Sequence, residues 1–292
     1  MWLSFRILAA LPYPSMANTL LIHCPDAPGL VHKITGVLFG YGLNILRNGE
    51  FVERHDNHFF MRTEFTGPFE ADALQQELRA VLPPTAVLRL SDNRPKRIVL
   101  LATREYHCLG ELLVRHAFGE LNAEILAVVS NHKVLGTLTQ QFGIPFHYLP
   151  HTDRPRETHE AEVLAVLAGY QPDFVVLAKY MRILSPAFVA AYPNRLINIH
   201  HSFLPAFVGA SPYAQAYERG VKIIGATAHF VNEQLDQGPI IAQSVIPIDH
   251  TRSAQDMAQA GRDVEKIVLA RSLQLVFNEH VFVHRNKTII FD

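Results

Sequence analysis

Ile98-Val-Leu-Leu-Ala102-Thr-Arg-Glu-Tyr-His-Cys-Leu109 decides how this chain folds. Its first five residues are an unbroken apolar run that turns polar at Thr103, as expected of a short strand buried on both faces. Similar runs follow at Ala123–Ser130, Pro145–Leu149 and Phe174–Ala178, separated by helical stretches. Strands alternating with helices imply a doubly wound, mostly parallel α/β sheet covered on both sides. A helix near Ala254–Phe277 follows. A hairpin, Val281–Val283 and Thr288–Phe291 turning at Arg285-Asn286-Lys287, then closes the chain. Open sheets of this kind place ligands outside the carboxyl ends of their strands.

Upstream the pattern changes. Thr19–His23 reads as a strand, and Leu30, Ile34, Val37 and Leu38 repeat at helical spacing up to Tyr41. Strand candidates Asn44–Val52 and Asn57–Phe65, a helix over Glu70–Val81 and a strand at Ala86–Leu90 complete a βαββαβ, ferredoxin-like order. The polar Ser91–Arg97 is the expected linker. It leaves a small domain over 18–90 and a larger one over 98–292, two being the number that 292 residues favour. Residues 1–17 are read as an extension, either unstructured or upstream of a natural start at Met16. Its short apolar core ends at Pro12 and makes a poor leader peptide.

Composition excludes several classes. The 26 basic and 27 acidic side chains leave a net charge of -1, which argues against a nucleic-acid partner. No apolar run approaches the ~20 residues needed to span a bilayer. The 2 cysteines, Cys24 and Cys108, suit neither a disulfide framework nor a cysteine-rich zinc site. A soluble cytoplasmic protein is expected.

The chemistry concentrates in two places. In Arg195-Leu-Ile-Asn-Ile-His-His-Ser-Phe-Leu-Pro205 a strand from Leu196 to His200 puts Asn198 and His200 on one side, with His201 facing the other way. An amide beside an imidazole can hydrogen-bond a developing oxyanion. In Gly225-Ala-Thr-Ala-His-Phe-Val-Asn-Glu-Gln-Leu-Asp-Gln-Gly-Pro239 a strand runs into a polar loop carrying Asp236, and a carboxylate there can hold and deprotonate a water. Each has a plainer reading: the histidine as a hydrogen-bonded structural residue, the aspartate as a turn former. Metal ligation by His200, His201 and Asp236 is disfavoured, because adjacent histidines of a regular strand do not converge.

Asn198-Ile-His200, Ser202-Phe-Leu-Pro205 and His229-Phe-Val with Asp236-Gln-Gly-Pro239 resemble the signature of the 10-formyltetrahydrofolate-dependent formyltransferase fold. Ala178-Lys-Tyr-Met-Arg-Ile-Leu-Ser-Pro-Ala-Phe-Val189 extends the likeness, which runs from about Lys96 to the end. The resemblance implies a catalytic trio of Asn198, His200 and Asp236. It also implies a pterin pocket lined by Met181, Arg182, Ile183, Leu184 and Val231, with no metal and no cofactor beyond the folate substrate.

The N-terminal part resembles an ACT domain through Asp26-Ala-Pro-Gly-Leu-Val31, Gly42-Leu-Asn-Ile45 and Phe59-Phe-Met-Arg62. Such modules bind amino acids and pair between subunits, implying an effector such as glycine or methionine and a homodimer or homotetramer. An ACT domain ahead of this catalytic domain is the arrangement of the formyltetrahydrofolate deformylases, which Gly261-Arg-Asp-Val-Glu265 and Asn286-Lys-Thr-Ile-Ile-Phe291 also resemble. The implied reaction is hydrolysis of 10-formyltetrahydrofolate, supplying formate for one-carbon metabolism and purine synthesis.

Transfer to an amine acceptor is the competing reading. Glycinamide ribonucleotide formyltransferases carry a glycine-rich loop for the acceptor's phosphate, and Thr103–Leu109 has no glycine. A tRNA acceptor fits neither the charge nor the absence of a further domain. A non-catalytic folate or amino-acid sensor is a third reading, which the intact trio disfavours. His107 and Cys108 are expected to border an acceptor-side rim, and Ser211 and Ala214 depart from the larger residues common in that region.

Overall fold

A computed structural model describes residues 17–206 and 212–292. The extension at residues 1–16, with its leader and start-site readings, and Ser211 lie outside the described residues. The chain divides into two compact units, one ending at Arg94 and the other beginning at Pro95.

The first unit runs β1 (Asn18–Pro25), α1 (Leu30–Gly40), β2 (Asn44–Glu53), β3 (His58–Thr66), α2 (Ala71–Val81) and β4 (Val87–Ser91). Its sheet has the order β2-β3-β1-β4, all neighbours antiparallel. Alternate residues Leu20, Ile22 and Cys24 of β1 and Phe59, Met61 and Phe65 of β3 join Leu30, Ile34 and Leu38 of α1 and Leu74 and Leu78 of α2 in one core. Strand period and helix period thus agree on a single buried face.

The second unit begins with β5 (Lys96–Ala102), α3 (His107–Ala117), β6 (Ala123–Ser130), α4 (Gly136–Gln141), β7 (Phe146–Tyr148), α5 (Arg156–Tyr170), β8 (Phe174–Leu177) and α6 (Pro186–Ala191). It continues through β9 (Leu196–His200), α7 (Pro212–Glu218), β10 (Ile223–Phe230), β11 (Ile240–Pro247), α8 (Ala254–Phe277), β12 (Val281–His284) and β13 (Lys287–Ile290). Its seven-stranded sheet has the order β11-β10-β9-β8-β5-β6-β7. β5 to β9 are parallel, and β10 and β11 are antiparallel additions at one edge. Leu100 and Val99, neighbours in β5, fall in separate cores on opposite faces. That is why the opening stretch has no polar alternation. A capping box of Ser253 and Asp256 starts α8.

Two boundaries differ from expectation. Ser91 belongs to β4, and Lys96 and Arg97 to β5, so the connector is shorter than 91–97. Lys96 is drawn into the sheet because its ammonium lies 2.6 Å from the buried Glu279 carboxylate. The closing hairpin turns on Arg285 and Asn286 alone, with Arg285 at φ 54° and Lys287 already paired to His284. Among the described residues no helix is long and apolar enough to cross a membrane.

Candidate active site

β9 and β10 bring the first functional side chains together. Their antiparallel register pairs Asn198 with His229. His229 Nδ1 lies 2.8 Å from the carbonyl of Phe230, which can only accept, so that nitrogen carries the proton. Nε2 is then a lone-pair acceptor, 3.3 Å from Asn198 Nδ2. Burial holds His229 below the usual histidine range, in keeping with a neutral ring. The contact fixes which end of the Asn198 amide faces His229 and leaves its second N–H to be directed elsewhere.

The loop after β10 returns Asp236 to this pair. Phe230 N–H donates to the carbonyl of Pro239 at 2.9 Å, closing the loop on itself. A Cβ at Gly238 would stand 1.8 Å from the Phe230 carbonyl oxygen, so only glycine permits that crossing. Asp236 adopts φ 56°, a left-handed conformation that costs a non-glycine residue on the order of 1 kcal/mol. Its Oδ2 comes 3.3 Å from His200 Nδ1, and Oδ1 lies 3.8 Å from His229 Nε2. Burial works against ionisation of Asp236. The hydrogen bond from His200 and the nearby His200, His229 and His201 rings outweigh it and hold the carboxyl below its ordinary range. The other nitrogen of His200, Nε2, is buried without a hydrogen-bond partner among the described residues.

His201 does not face away. β9 ends at His200, so strand alternation no longer applies, and the two rings stack with centroids 5.0 Å apart and planes 17° from parallel. Burial, then the charges of Lys179 and His200, push His201 down to about 4.

A cavity of about 440 Å³ opens on these groups. That is the size of a small-molecule site. Met181, Arg182, Ile183, Leu184 and Val231 line it beside Asn198, His200 and Asp236. The segment after β8 is held from three sides: Met181 N–H donates to Thr103 Oγ1 at 2.9 Å, Arg156 to the Ile183 carbonyl at 2.8 Å, and Ser185 N–H to Glu160 at 3.0 Å. Met181 and Ile183 are nonetheless 56% and 60% exposed. Apolar side chains held rigidly yet uncovered make a wall suited to a flat heteroaromatic ring.

The expected acceptor rim is different. Cys108 is wholly buried in the core of the second unit, and burial pushes its thiol well up. His107 is buried too, its Nε2 2.8 Å from Glu265 on α8. Sequence reasoning missed His229, Lys179, Tyr213 and Glu265. His229, Lys179 and Glu265 each lie within a stretch that resembles the family, but nothing local marks them as functional.

Comparison with known proteins bears on this geometry. The formyl transferase family model matches residues 96–273 and the ACT domain model residues 18–83. The formyltetrahydrofolate deformylase of Haemophilus influenzae is 54% identical over 271 residues, 93% of this chain and 98% of that protein. The chain belongs to the formyltetrahydrofolate deformylase family. A crystal structure of the Pseudomonas syringae deformylase matches with a TM-score of 0.91 at 42% identity, covering 94% of each chain. A glycinamide ribonucleotide transformylase from Symbiobacterium toebii matches with a TM-score of 0.65 at 28% identity, over 68% of this chain and 95% of its own. The deformylase family thus shares its catalytic unit's fold with the transformylases and carries the ACT unit in addition.

Proposed function

We propose that Asn198, His200 and Asp236 are the groups with which this chain hydrolyses 10-formyltetrahydrofolate to formate and tetrahydrofolate. The observation that carries the assignment is their convergence, from a strand end and a left-handed loop, on one cavity with an uncovered apolar wall. The pterin lies against Met181, Ile183, Leu184 and Val231, and Arg182 supplies charge for the anionic part of the folate.

Asp236, ionised at neutral pH, holds a water against the formyl carbon and takes its proton as the C–O bond forms. A carboxyl held below its ordinary range does not keep that proton, and His200 Nδ1–H, hydrogen-bonded to Asp236 at 3.3 Å, steadies the carboxylate as the proton passes on. Asn198, through the N–H not given to His229, and His200, through Nε2, donate to the oxyanion of the tetrahedral intermediate. The C–N10 bond then breaks, N10 takes up the proton from Asp236 by way of water, and formate leaves.

Incubation with 10-formyltetrahydrofolate and no acceptor tests this. Equal release of tetrahydrofolate and formate is expected, and it is lost in Asp236→Asn. Turnover only after glycinamide ribonucleotide is added would replace hydrolysis by transfer. An amino-acid effector belongs at the ACT unit, and the first unit pairs copies of the chain. Supporting that pairing, Phe39, Leu46 and Val87 are 85%, 55% and 52% exposed. Light scattering is expected to give a multiple of 32.8 kDa. The reaction is placed in the cytoplasm, where free thiols such as Cys24 and Cys108 stay reduced, and cell fractionation tests it.

A further inference from the structure

Glu265 on α8 is buried, and the pocket side of the protein converges on it. Its Oε2 lies 2.8 Å from His107 Nε2 and 3.0 Å from Lys179 Nζ, and its Oε1 accepts from Tyr213 Oη at 2.7 Å. The groups come from four places: the first turn of α3, the segment after β8, α7, and α8 itself. Burial works against the Glu265 charge, yet the hydrogen bond from His107 and the Lys179 ammonium pull its carboxyl down to about 2. Gly261, one turn earlier on α8, makes room for the phenol, since a Cβ there would lie 2.0 Å from Tyr213 Oη. His107, Cys108 and Glu265 also offer three potential metal-ligand atoms within 4.8 Å of one another. An ammonium and a phenol already bind that carboxylate, a poor arrangement for a cation.

This network abuts the catalytic cavity. Lys179 lines it together with His200 and His201. The His201 ring stands between His200, at 5.0 Å, and Tyr213, at 6.4 Å. With folate against Met181–Leu184 and Val231, and with Asp236 and its loop on another side, the Lys179–His201 wall is what remains beside the formyl carbon. Behind that wall is Glu265, a carboxylate that would otherwise anchor an amine.

We propose that the buried Lys179–Glu265 pair, with His107 and Tyr213 bound to the same carboxylate, is the specificity determinant that makes water the formyl acceptor. The proposal rests on the hydrolase reading above. Lys179 fills the approach with a charged stem and repels a protonated amine. Glu265, buried and already accepting from three donors, is not free to turn toward a neutral amine. Water needs neither the space nor the anchor. With water, the new C–O bond forms, the C–N10 bond breaks, N10 gains a proton, and the products are formate, a proton and tetrahydrofolate. With an amine, a C–N bond forms instead, the amine nitrogen loses the proton that N10 gains, and the products are a formamide and tetrahydrofolate.

The test uses the full chain, saturating 10-formyltetrahydrofolate and glycinamide as probe amine, reading N-formylglycinamide against formate by mass spectrometry. Wild type is expected to give formate with or without glycinamide. Lys179 has φ 63°, which glycine adopts freely. Lys179→Gly is expected to raise the ratio of formamide to formate at least about tenfold, the scale on which one pocket contact discriminates. Lys179→Met keeps most of the volume and removes the charge, so a rise there assigns the effect to charge and a rise in glycine alone assigns it to volume. An unchanged ratio in Lys179→Gly overturns the proposal. Should that variant fail to fold by circular dichroism, Tyr213→Phe, which takes one donor from Glu265, decides in the same way: a raised ratio supports it and an unchanged one overturns it. A wild type that turns over only with glycinamide overturns the hydrolase reading and this proposal together.

Discussion

At the scale of single residues, protonation and orientation are set by neighbours that the local sequence does not name. His229 is held neutral by burial and keyed to the Phe230 carbonyl, and it turns the Asn198 amide one way. On the proposed mechanism Asn198→Ala removes an oxyanion donor, and kcat is expected to fall about 100- to 1000-fold. His229→Phe leaves Asn198 in place but unaimed. A kcat loss of up to about 100-fold with KM little changed is expected, since small misplacements cost that much. Steady-state kinetics of the two variants check both. Asn198, His200 and Asp236 were legible through the family motifs they resemble, since residue type alone left a plainer reading for the histidine and the aspartate. Lys179, Tyr213 and Glu265 were not, because their partners lie 52 to 158 positions apart and meet only through packing.

At the scale of elements, the site is a strand end, a strapped loop and a cap. Gly238→Ala would drive a methyl into the Phe230 carbonyl and push the Asp236 loop outward. Overpacking of this kind costs about 1–3 kcal/mol. A lowered Tm and a collapse of kcat are expected together, by thermal melt and turnover assay. Ser185 caps α6 by accepting from Phe188 N–H, and its hydroxyl donates to Glu160, tying the pocket segment to α5. Ser185→Ala is expected to cost about 1 kcal/mol and to raise KM for the folate, because the wall of Met181 and Ile183 loosens. The elements were mostly legible, since buried parallel strands and amphipathic helices each carry their own period. The ends were less so. The closing hairpin and the start of β5 depend on pairing partners and, at Lys96, on a carboxylate far along the chain.

At the scale of the whole molecule, buried ionisable groups tie stability to pH. His201 sits near 4 against an ordinary 6.5, so below 6.5 the unfolded chain binds a proton that the folded chain refuses. Stability must therefore fall as pH drops from 6.5 toward 4, by about 2 kcal/mol on reaching pH 5. Glu265, near 2 against 4.5, adds a loss in the same direction between those values. Urea unfolding at pH 7, 6 and 5 is expected to show the first slope, flattened in His201→Asn. A flat profile in the wild type would show that His201 is not buried neutral.

The sequence by itself determined two domains and their strand and helix periods, and its family resemblance pointed to Asn198, His200 and Asp236. The domains and periods follow from residue type and short-range spacing, which a chain carries before it folds. Only the tertiary structure decided that His201 stacks on His200, that the His107 and Cys108 side chains are buried, and that Lys179 pairs with Glu265. Those depend on which distant side chains share a dry interior. There, hydrogen-bond satisfaction and charge pairing select among arrangements that the local sequence leaves equally open.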